Sequence, residues 1–428
     1  MDSLPCGHIA HRGPSRFCPH LVSSEDRWVE AIAYLTGNDL DFDLSCKDCD
    51  AAAHPIAWVD VCEGCVQRIM EDDNPVAWRG HPGVKHRPEP VETSLTSTAL
   101  PANLAQPADF TALPGTAGNW LILTADGLLS NFDADTGEHV LLAPADLPAE
   151  PTPELGKTPR PRIHADPSGR YVAIVNDYGR YGVVLDLHDG RETMRLDRGD
   201  YHPEQTPFPI AFLTVDDDIA LIHATAWNRV DASDPATGKL RTRRDQTPYL
   251  AGQPRPEHYL DYFHGALHLS PDGRWLADDG WVWSPVGLPR VWDTQHWLRT
   301  NVWESEDGES ARRLAHRAYY WDKPMCWVST DLVAISGIGY DDEAMLDGVR
   351  IFDVTTGDEV LAFACPIRAL FGAPGRLYAS SETELQIWDP RTAELIGTVD
   401  HFAPTRYHQG TSELAQIQNG QLTRWSMR

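Results

Sequence analysis

From about residue 108 to the end of the chain, short apolar runs alternate with turn-forming residues. The runs are too short for amphipathic helices, and the residues between them are the Gly, Pro and Asp of tight turns. This pattern is typical of consecutive β-strands, so the greater part of the chain is predicted to be all-β.

The same stretch contains an internal repeat. An apolar strand, an aspartate and a turn that often contains Thr-Gly recur in segments such as NFDADTGEHV, RIFDVTTGDEV and QIWDPRTAELI. Seven units are marked in this way, 36 to 60 residues apart, by Asp133, Asp186, Asp234, Asp293, Asp353, Asp389 and finally Trp425. A second element, a strand that turns at Pro-x-Gly-Arg, places His164 and His268 at equivalent positions in RIHADPSGRYVAI and ALHLSPDGRWLAD.

The spacing accommodates four strands per unit, and seven such units predict a seven-bladed β-propeller, with six or eight blades as alternatives. The repeats, IWDPRTAELIGTV above all, resemble those of WD-repeat or quinoprotein-like propellers. That resemblance implies a fold and no particular activity. The last unit lacks a first strand after FAPTRYHQGTSEL, so residues near 108 are expected to supply a closing strand.

The N-terminal segment differs in composition from the rest of the chain, because residue types that bind metals are concentrated there. Two Cys-x-x-Cys couplets stand twelve residues apart in CKDCDAAAHPIAWVDVCEGC, and Cys-x-His couplets precede them. The candidate ligands are Cys6, His8, Cys18, His20, Cys46, Cys49, Cys62, Cys65, His81 and His86. A Cys-x-x-Cys turn aims two sulfurs at one ion, so zinc is predicted rather than unligated buried thiols or a redox couplet.

The pairing of these ligands stays open at the level of sequence. The two Cys-x-x-Cys couplets could form one four-cysteine site, with a second site from the two Cys-x-His couplets. Alternatively, Cys18 and His20 share an ion with one Cys-x-x-Cys couplet, while His81 and His86 join the other.

The order FCPHL, CKDC, CEGC and GHPGVKH resembles the ubiquitin-hydrolase-type zinc finger, over roughly residues 15–90. The resemblance implies a small zinc-bound α/β module that reads the C-terminal Gly-Gly tail of ubiquitin. It would make Trp58 the pocket aromatic and Arg68 the partner of the tail carboxylate. The family's further Cys-Gly-Arg segment is missing here, where the chain reads VQRIMEDD.

Two short helices are predicted within this module, over EDRWVEAIAYL and CVQRIMEDD. The stretch that follows is rich in Pro, Thr, Ser and Ala and is interpreted as a linker. The predicted organisation is therefore a zinc-binding module (1–90), a linker (91–107) and a propeller (108–428). The fold class is mainly β, with a small N-terminal α/β domain.

Charge and cysteine distribution narrow the choice of partners. The formal net charge is −27, from 36 Lys and Arg against 63 Asp and Glu, which disfavours nucleic acid and anionic membranes as partners. No apolar run is long enough to span a bilayer, and the N-terminus lacks the layout of a secretory signal, so a cytoplasmic location is expected. Cys326 and Cys365 stand in apolar contexts and are expected to be buried core thiols.

The loops of the predicted propeller contain aromatic and histidine side chains suited to recognition. The candidates are Tyr201, His202, Tyr259, His264, Tyr320, Trp321, Tyr407 and His408. No G-x-S-x-G, phosphate-binding Gly loop or H-E-x-x-H motif occurs. The favoured hypothesis is a non-enzymatic interaction protein that binds a protein or peptide. The alternative is a hydrolase or lyase with its site on the aromatic, histidine-rich face.

Overall fold

The computed structural model describes residues 2–10, 12–24, 31–35, 42–52, 56–71, 77–79, 94–116, 118–245, 249 and 252–427. The chain divides into two compact units. The first unit comprises Met1–Val91, Pro324–Val328 and Leu332–His401; the second comprises Glu92–Lys323, Ser329–Asp331 and Phe402–Arg428.

In its described residues, the N-terminal segment forms a two-stranded hairpin and a five-stranded mixed sheet, accompanied by three short helices. Its elements are β1 (Asp2–Ser3), β2 (Ile9–Ala10), β3 (Arg12–Phe17), α1 (Pro19–Ser23), β4 (Ile32–Leu35), β5 (Phe42–Ser45), α2 (Lys47–Ala51), β6 (Val59–Cys62), α3 (Glu63–Glu71) and β7 (Ala77–Arg79). The sheet order is β6-β3-β5-β4-β7, with β3 and β5 parallel to each other. Phe17, Leu44 and Ile69 are buried in a common core.

One of the two predicted helices is confirmed and the other is wrong in its described part. CVQRIMEDD begins within α3, as predicted. Within EDRWVEAIAYL, however, Ile32–Leu35 form β4, which pairs with β5 on one side and β7 on the other. A short apolar run such as IAYL fits a strand paired on both edges as well as a helix. Residues 25–30 lie outside the described residues.

In the part of the chain that the structure describes after residue 93, seven successive antiparallel sheets follow one another. The first sheet consists of β9 (Pro107–Ala112), β10 (Asn119–Thr124), β11 (Leu128–Asp133) and β12 (His139–Pro144), and the second of β13 (Arg160–Ala165), β14 (Tyr171–Asp177), β15 (Tyr181–Asp186) and β16 (Arg191–Asp197). The third sheet consists of β17 (Ile210–Val215), β18 (Asp218–Ala226) and β19 (Arg229–Ser233). The fourth consists of β20 (Leu267–Leu269), β21 (Trp275–Asp278), β24 (Arg290–Asp293) and β25 (Arg312–Arg313). The fifth sheet consists of β27 (Met325–Trp327), β28 (Leu332–Ile338), β29 (Leu346–Asp353) and β30 (Asp358–Phe363). The sixth consists of β31 (Ala369–Ala373), β32 (Arg376–Ser380), β33 (Glu384–Asp389) and β34 (Glu394–Asp400). The seventh consists of β35 (Arg406–His408), β36 (Glu413–Gln418), β37 (Gln421–Ser426) and β8 (Thr96–Ala99). These are the up-and-down sheets of a β-propeller, and the predicted fold class is confirmed.

The repeated aspartate has a structural cause. In all six aspartate-marked units one carboxylate oxygen accepts a hydrogen bond from the backbone N–H two residues later, at 2.8–3.0 Å. This Asx turn closes the connection after the third strand of the sheet. These backbone hydrogen bonds lower the pKa of the Asp133 carboxyl group. The pKa of Asp353 is lowered first by the Thr355 hydroxyl and then by backbone N–H groups.

Within the second unit, successive sheets are held together by buried apolar clusters. Leu121 and Ile174 belong to one cluster and so join the first two sheets. Trp120 of β10 shares another with Ala415 and Leu422, so the seventh sheet packs on the first. Within the first unit, the fifth and sixth sheets share a cluster that includes Cys326 and Cys365, both buried as expected.

The fourth sheet carries an insertion that contributes to the long spacing of its sequence repeat. Strands β22 (Trp281–Val282), β23 (Val286–Gly287) and β26 (Arg317–Ala318) form a small extra sheet. Helices α4 (Thr294–Arg299) and α5 (Glu304–Asp307) lie between β24 and β25. The insertion brings several aromatic residues together, as described below.

The predicted closing strand exists, but it comes from a different segment. β8, within residues interpreted as a linker, pairs with β37 as the outermost strand, placing Thr98 opposite Leu422. Residues near 108 instead begin the first sheet, and the seventh sheet has its own first strand, β35. β8 is largely exposed and has few apolar side chains, so its composition gave no strand signal. Among the described residues, no helix is both long and apolar enough to cross a bilayer.

Candidate metal centres and an aromatic surface

The first candidate metal centre consists of Cys18, His20, Cys46 and Cys49, whose ligand atoms all lie within 4.8 Å of one another. His20 Nδ1 is 3.1 Å from Cys49 Sγ and 3.7 Å from Cys46 Sγ. The parallel pairing of β3 with β5 explains the arrangement, because parallel strands end at the same sheet edge. Cys18 follows β3 and Cys46 follows β5, and the Cys46 N–H donates to Cys18 Sγ at 3.3 Å.

The second candidate metal centre consists of Cys6, His8, Cys62 and Cys65, again within 4.8 Å. His8 Nδ1 lies 3.3 Å from Cys62 Sγ and 3.4 Å from Cys65 Sγ. Cys62 ends β6 and Cys65 lies in the first turn of α3, while Cys6 and His8 stand in the turn between β1 and β2. The centre therefore attaches the N-terminal hairpin to the module.

The two centres agree with part of one ligand pairing that the sequence left open, and the grouping of Cys6 and His8 with Cys62 and Cys65 was in neither pairing. Each joins one Cys-x-His couplet to one Cys-x-x-Cys couplet, so the structure does not bring the four cysteines of the two Cys-x-x-Cys couplets into one site. The grouping of Cys18 and His20 with a Cys-x-x-Cys couplet is the one that the structure shows. His81 and His86 lie outside the described residues, and their assignment stays a prediction.

The donor set of both centres suits a divalent cation. Burial, together with neighbouring thiol groups, raises the pKa of Cys49 and of Cys65 to about 12. Thiols crowded in this way disfavour one another's ionisation, and a cation among them reverses that effect. Both clusters could therefore hold a metal ion.

Trp58 and Arg68, the predicted tail-binding pair, occupy different surroundings. The ring of Trp58 is half-buried, meets Tyr34 edge-on at 5.6 Å between ring centroids, and has the Arg16 guanidinium 5.9 Å from its centroid. The Arg16 guanidinium also donates to Asp43. Arg68 is exposed on α3.

The predicted recognition residues of the propeller do not form a single surface. Tyr201, His202 and Trp321 belong to one aromatic cluster, described next. Tyr259 packs instead on Tyr249, at 5.0 Å between ring centroids. The remaining four lie inside the sheets or at their edge. Three are buried: His264, whose Nδ1 lies 2.6 Å from Asp278 Oδ2, Tyr320, which lies against Arg317, and His408, which meets Trp120. Tyr407 is half-buried.

The aromatic cluster is a stack of four rings, Tyr201, Phe263, Trp281 and Trp321. Consecutive centroids are 5.7, 4.6 and 4.7 Å apart and the interplanar angles are 12°, 17° and 10°. We call these rings, with His202 and Trp283 at their rim, the aromatic platform. Trp227 supports it by contacting Tyr201 and Phe263.

Phe263, Trp281, Trp283 and Trp227 were missed by the sequence reasoning. Trp281 and Trp283 stand two residues apart in GWVWSP, a spacing that places side chains on one face of a strand. That Trp-x-Trp pattern was the available signal. Phe263 joins the stack through its antiparallel bridge with Trp281, a long-range pairing that has no local signature.

Two pairs that combine a histidine with a hydroxyl or carboxyl group lie in the interior of the sheets, whereas His202–Glu204 and His258–Asp307 are partly exposed. His223 Nε2 lies 2.9 Å from Ser233 Oγ, but both residues are buried, and burial lowers the pKa of His223. His264 and Asp278 are likewise buried. Side chains so enclosed hold strands together rather than meet a substrate.

Comparisons with known proteins give no family assignment: no family model matches the sequence, and no curated protein matches it. Among solved structures, a chain of the mitotic checkpoint complex matches with 12% identity and a TM-score of 0.48, covering 80% of this chain and 95% of that one. BamB from Moraxella catarrhalis matches with 15% identity and a TM-score of 0.47, covering 75% of this chain and 85% of that one. Both TM-scores are below 0.5, and the fold assignment rests on the sheet topology.

Proposed function

We propose that this protein is a non-enzymatic interaction protein, in which an N-terminal module held together by zinc accompanies a β-propeller that binds a protein or peptide partner. The observation that carries the proposal is the composition of the two metal centres. Each supplies three cysteines and one histidine, four protein ligands in all. Four protein ligands fill the tetrahedral shell of a structural zinc ion, whereas a catalytic zinc keeps a position for water or substrate.

The places of the ligands in the fold support a structural role for zinc. The first centre joins the end of β3 to the end of β5, and the second joins the N-terminal hairpin to β6 and α3. The module is small, and modules of this size bury too little apolar surface to be stable without added cross-links. Metal binding would therefore supply much of the module's folding free energy.

The partner-binding part of the proposal rests on the aromatic platform. Tyr201 and Trp283 are 46% and 47% exposed although they pack against other rings. Rigid, partly exposed aromatic side chains are typical of the energetically dominant positions in protein interfaces. The acidity of the chain favours a partner that is neither nucleic acid nor an anionic membrane, and we retain the cytoplasm as the proposed location.

A narrower function, reading of a Gly-Gly C-terminal tail, follows from the resemblance to ubiquitin-hydrolase-type zinc fingers. The half-buried ring of Trp58, with Tyr34 and Arg16 beside it, supports Trp58 as the recognition aromatic. The test is a titration of the full chain with a labelled peptide ending in Gly-Gly carboxylate and with its amidated form. Equal binding of the two forms, or unchanged binding to Trp58→Ala, would rule this function out.

The main proposal is tested by metal analysis and partner capture with the full chain. We expect two zinc ions per chain, from the two centres. We also expect a protein that cross-links to the wild-type chain and is lost with the double variant Tyr201→Ala/Trp283→Ala. A chain that folds without bound metal would contradict the zinc assignment. Capture that is identical for both chains, or no capture by either, would contradict the partner-binding role.

A further inference from the structure

The aromatic platform is rigid as well as exposed. Arg198 is buried below its loop and donates five hydrogen bonds to Gly179, Pro203, Thr206 and Pro207, which fix the segment that carries Tyr201 and His202. The indole N–H of Trp321 donates to the Gln205 carbonyl at 3.0 Å. A ligand that binds to side chains held in this way loses little affinity to the ordering of loops.

The exposed rings form a corner. Trp283 meets His202 at 5.0 Å with an interplanar angle of 88°, and Tyr201 meets the same imidazole at 4.7 Å and 74°. Both outer rings are therefore nearly perpendicular to the imidazole of His202, and Tyr201 and Trp283 remain 46% and 47% exposed. The faces of aromatic rings carry negative potential, which attracts cations.

The charged residues around the platform also favour binding of a cationic ligand. Exposed Asp200 precedes Tyr201, exposed Asp261 stands two residues before Phe263, and Glu204 is hydrogen-bonded to His202 at 3.1 Å. Three neighbouring cations already have partners, and one of them, the ammonium group of Lys323, lies over the Tyr320 ring at 4.4 Å from its centroid. Arg198 is occupied by backbone carbonyl groups, and the ammonium group of Lys157 pairs with Asp322.

We propose that the aromatic platform binds an arginine side chain of a basic peptide segment, with the guanidinium stacked in the corner formed by Tyr201, His202 and Trp283. The proposal rests on the partner-binding function above and specifies the chemistry of the partner. A guanidinium is planar and weakly hydrated, and it stacks on aromatic faces. Stacked on Tyr201, it would extend the aromatic layers already present, while Trp283, at 89° to Phe263, would bound the other side of the corner. The surrounding carboxylates attract the rest of a basic segment.

The test measures binding of a short labelled Gly/Ser peptide that carries arginines to the full chain, by fluorescence anisotropy. Its matched peptide replaces each arginine with citrulline, which keeps the shape and removes the charge. An uncharged proline-rich peptide represents the competing class of extended ligand. The chain's net charge of −27 would attract any basic peptide, so protein variants that preserve this charge are also needed.

Those variants are Tyr201→Leu and Trp283→Leu, which keep apolar side chains but remove the aromatic faces. The matched control is Tyr340→Leu, an aromatic side chain of similar exposure, 52%, outside the platform. We expect each platform variant to weaken binding of the arginine peptide roughly tenfold, and the control to leave it unchanged. Circular dichroism of all three variants should match that of the wild-type chain.

Three results would overturn the inference: equal affinity for the citrulline peptide, unchanged affinity of both platform variants, or tighter binding of the proline-rich peptide. The partner-capture experiment separates this failure from failure of the proposed function. If capture still depends on Tyr201 and Trp283 while arginine is not preferred, partner binding stands and only the chemistry is wrong. If capture and peptide binding are both independent of the platform, both proposals fail.

Discussion

Replacing Arg317 with methionine should destabilise the second unit strongly, because it leaves a buried carboxylate without its counter-ion. Arg317 and Asp279 both have 0% side-chain exposure, and the guanidinium donates to Asp279 Oδ1 at 2.6 Å. Asp279 Oδ2 accepts from the backbone N–H of Lys323 at 2.8 Å. These hydrogen bonds anchor residues 317 and 323 on Asp279, and Trp321 of the aromatic platform lies between them. Methionine retains most of the apolar volume, so the change is mainly electrostatic.

Removing one partner of a buried ion pair typically costs about 3–5 kcal/mol, whereas an exposed ion pair contributes about 0–1 kcal/mol. The matched control is Arg299→Met, which breaks an exposed pair with Asp216 whose side chains are 53% and 74% exposed. In urea, with a slope of about 3 kcal/mol/M, the Arg317→Met midpoint should fall by more than about 1 M. The control midpoint should change by less than about 0.4 M.

The loss of stability in Arg317→Met should also depend on pH, and its direction follows from the pKa of Asp279. Burial raises the pKa of Asp279, and the Arg317 charge opposes that rise. Without Arg317 the folded-state pKa rises further above the unfolded value. The charge penalty is therefore absent below the unfolded pKa, grows as pH rises from the unfolded toward the folded pKa, and stays constant above the folded pKa. The gap between wild type and variant should therefore be larger at pH 8 than at pH 5.

Urea unfolding followed by tryptophan fluorescence at both pH values tests this reasoning. The double variant Asp279→Asn/Arg317→Met removes the charge on both sides, so it should be more stable at pH 8 than Arg317→Met. The reasoning would be refuted if Arg317→Met lost no more stability than Arg299→Met, or if its loss were the same at both pH values.

Three further predictions concern the metal centres, the platform and the closing strand. Cys46→Ser and Cys62→Ser should each reduce bound zinc from two ions per chain to one, whereas the control Cys326→Ser should retain two. Native mass spectrometry measures the number of bound ions. Two ions in all three variants would contradict the assignment of the metal centres. Because Arg198→Met removes five hydrogen bonds, it should lower the urea midpoint of unfolding and weaken binding of the arginine peptide. The control Arg195→Met, which replaces an exposed arginine, should change neither the midpoint nor the binding. Replacing Thr96–Ala99 with Gly and Ser should expose the edge of β37 and increase association in light scattering; scattering identical to that of the full chain would argue against β8 as the closing strand.

The repeat structure was predictable because its signals are local. An aspartate that accepts from the backbone N–H two residues on needs only its immediate neighbours, so Asp133 and Asp353 mark their turns in the sequence as clearly as in the structure. β8 was not predictable in the same way. Its strand conformation depends on pairing with β37, more than three hundred residues away, and its own side chains are mostly exposed.

The metal ligands show the same division. The sequence identified the couplets, because Cys-x-x-Cys and Cys-x-His spacings bring two donors together within one turn. Which couplets share an ion depended on the parallel pairing of β3 with β5, which brings Cys18 beside Cys46. Strand order is a tertiary property, so the sequence left several pairings open.

The sequence by itself thus determined the repeated strands and turns after about residue 108, the ligand types and the strongly acidic charge of this protein, because each follows from neighbouring residues or from composition. The tertiary structure decided which couplets meet, which segment completes the seventh sheet, and which aromatic rings stack. Tyr201, Phe263, Trp281 and Trp321 come from four separate segments, and they meet only because the loops and the inserted sheet bring them together. Contacts of that kind depend on the packing of distant segments, which local residue patterns do not specify.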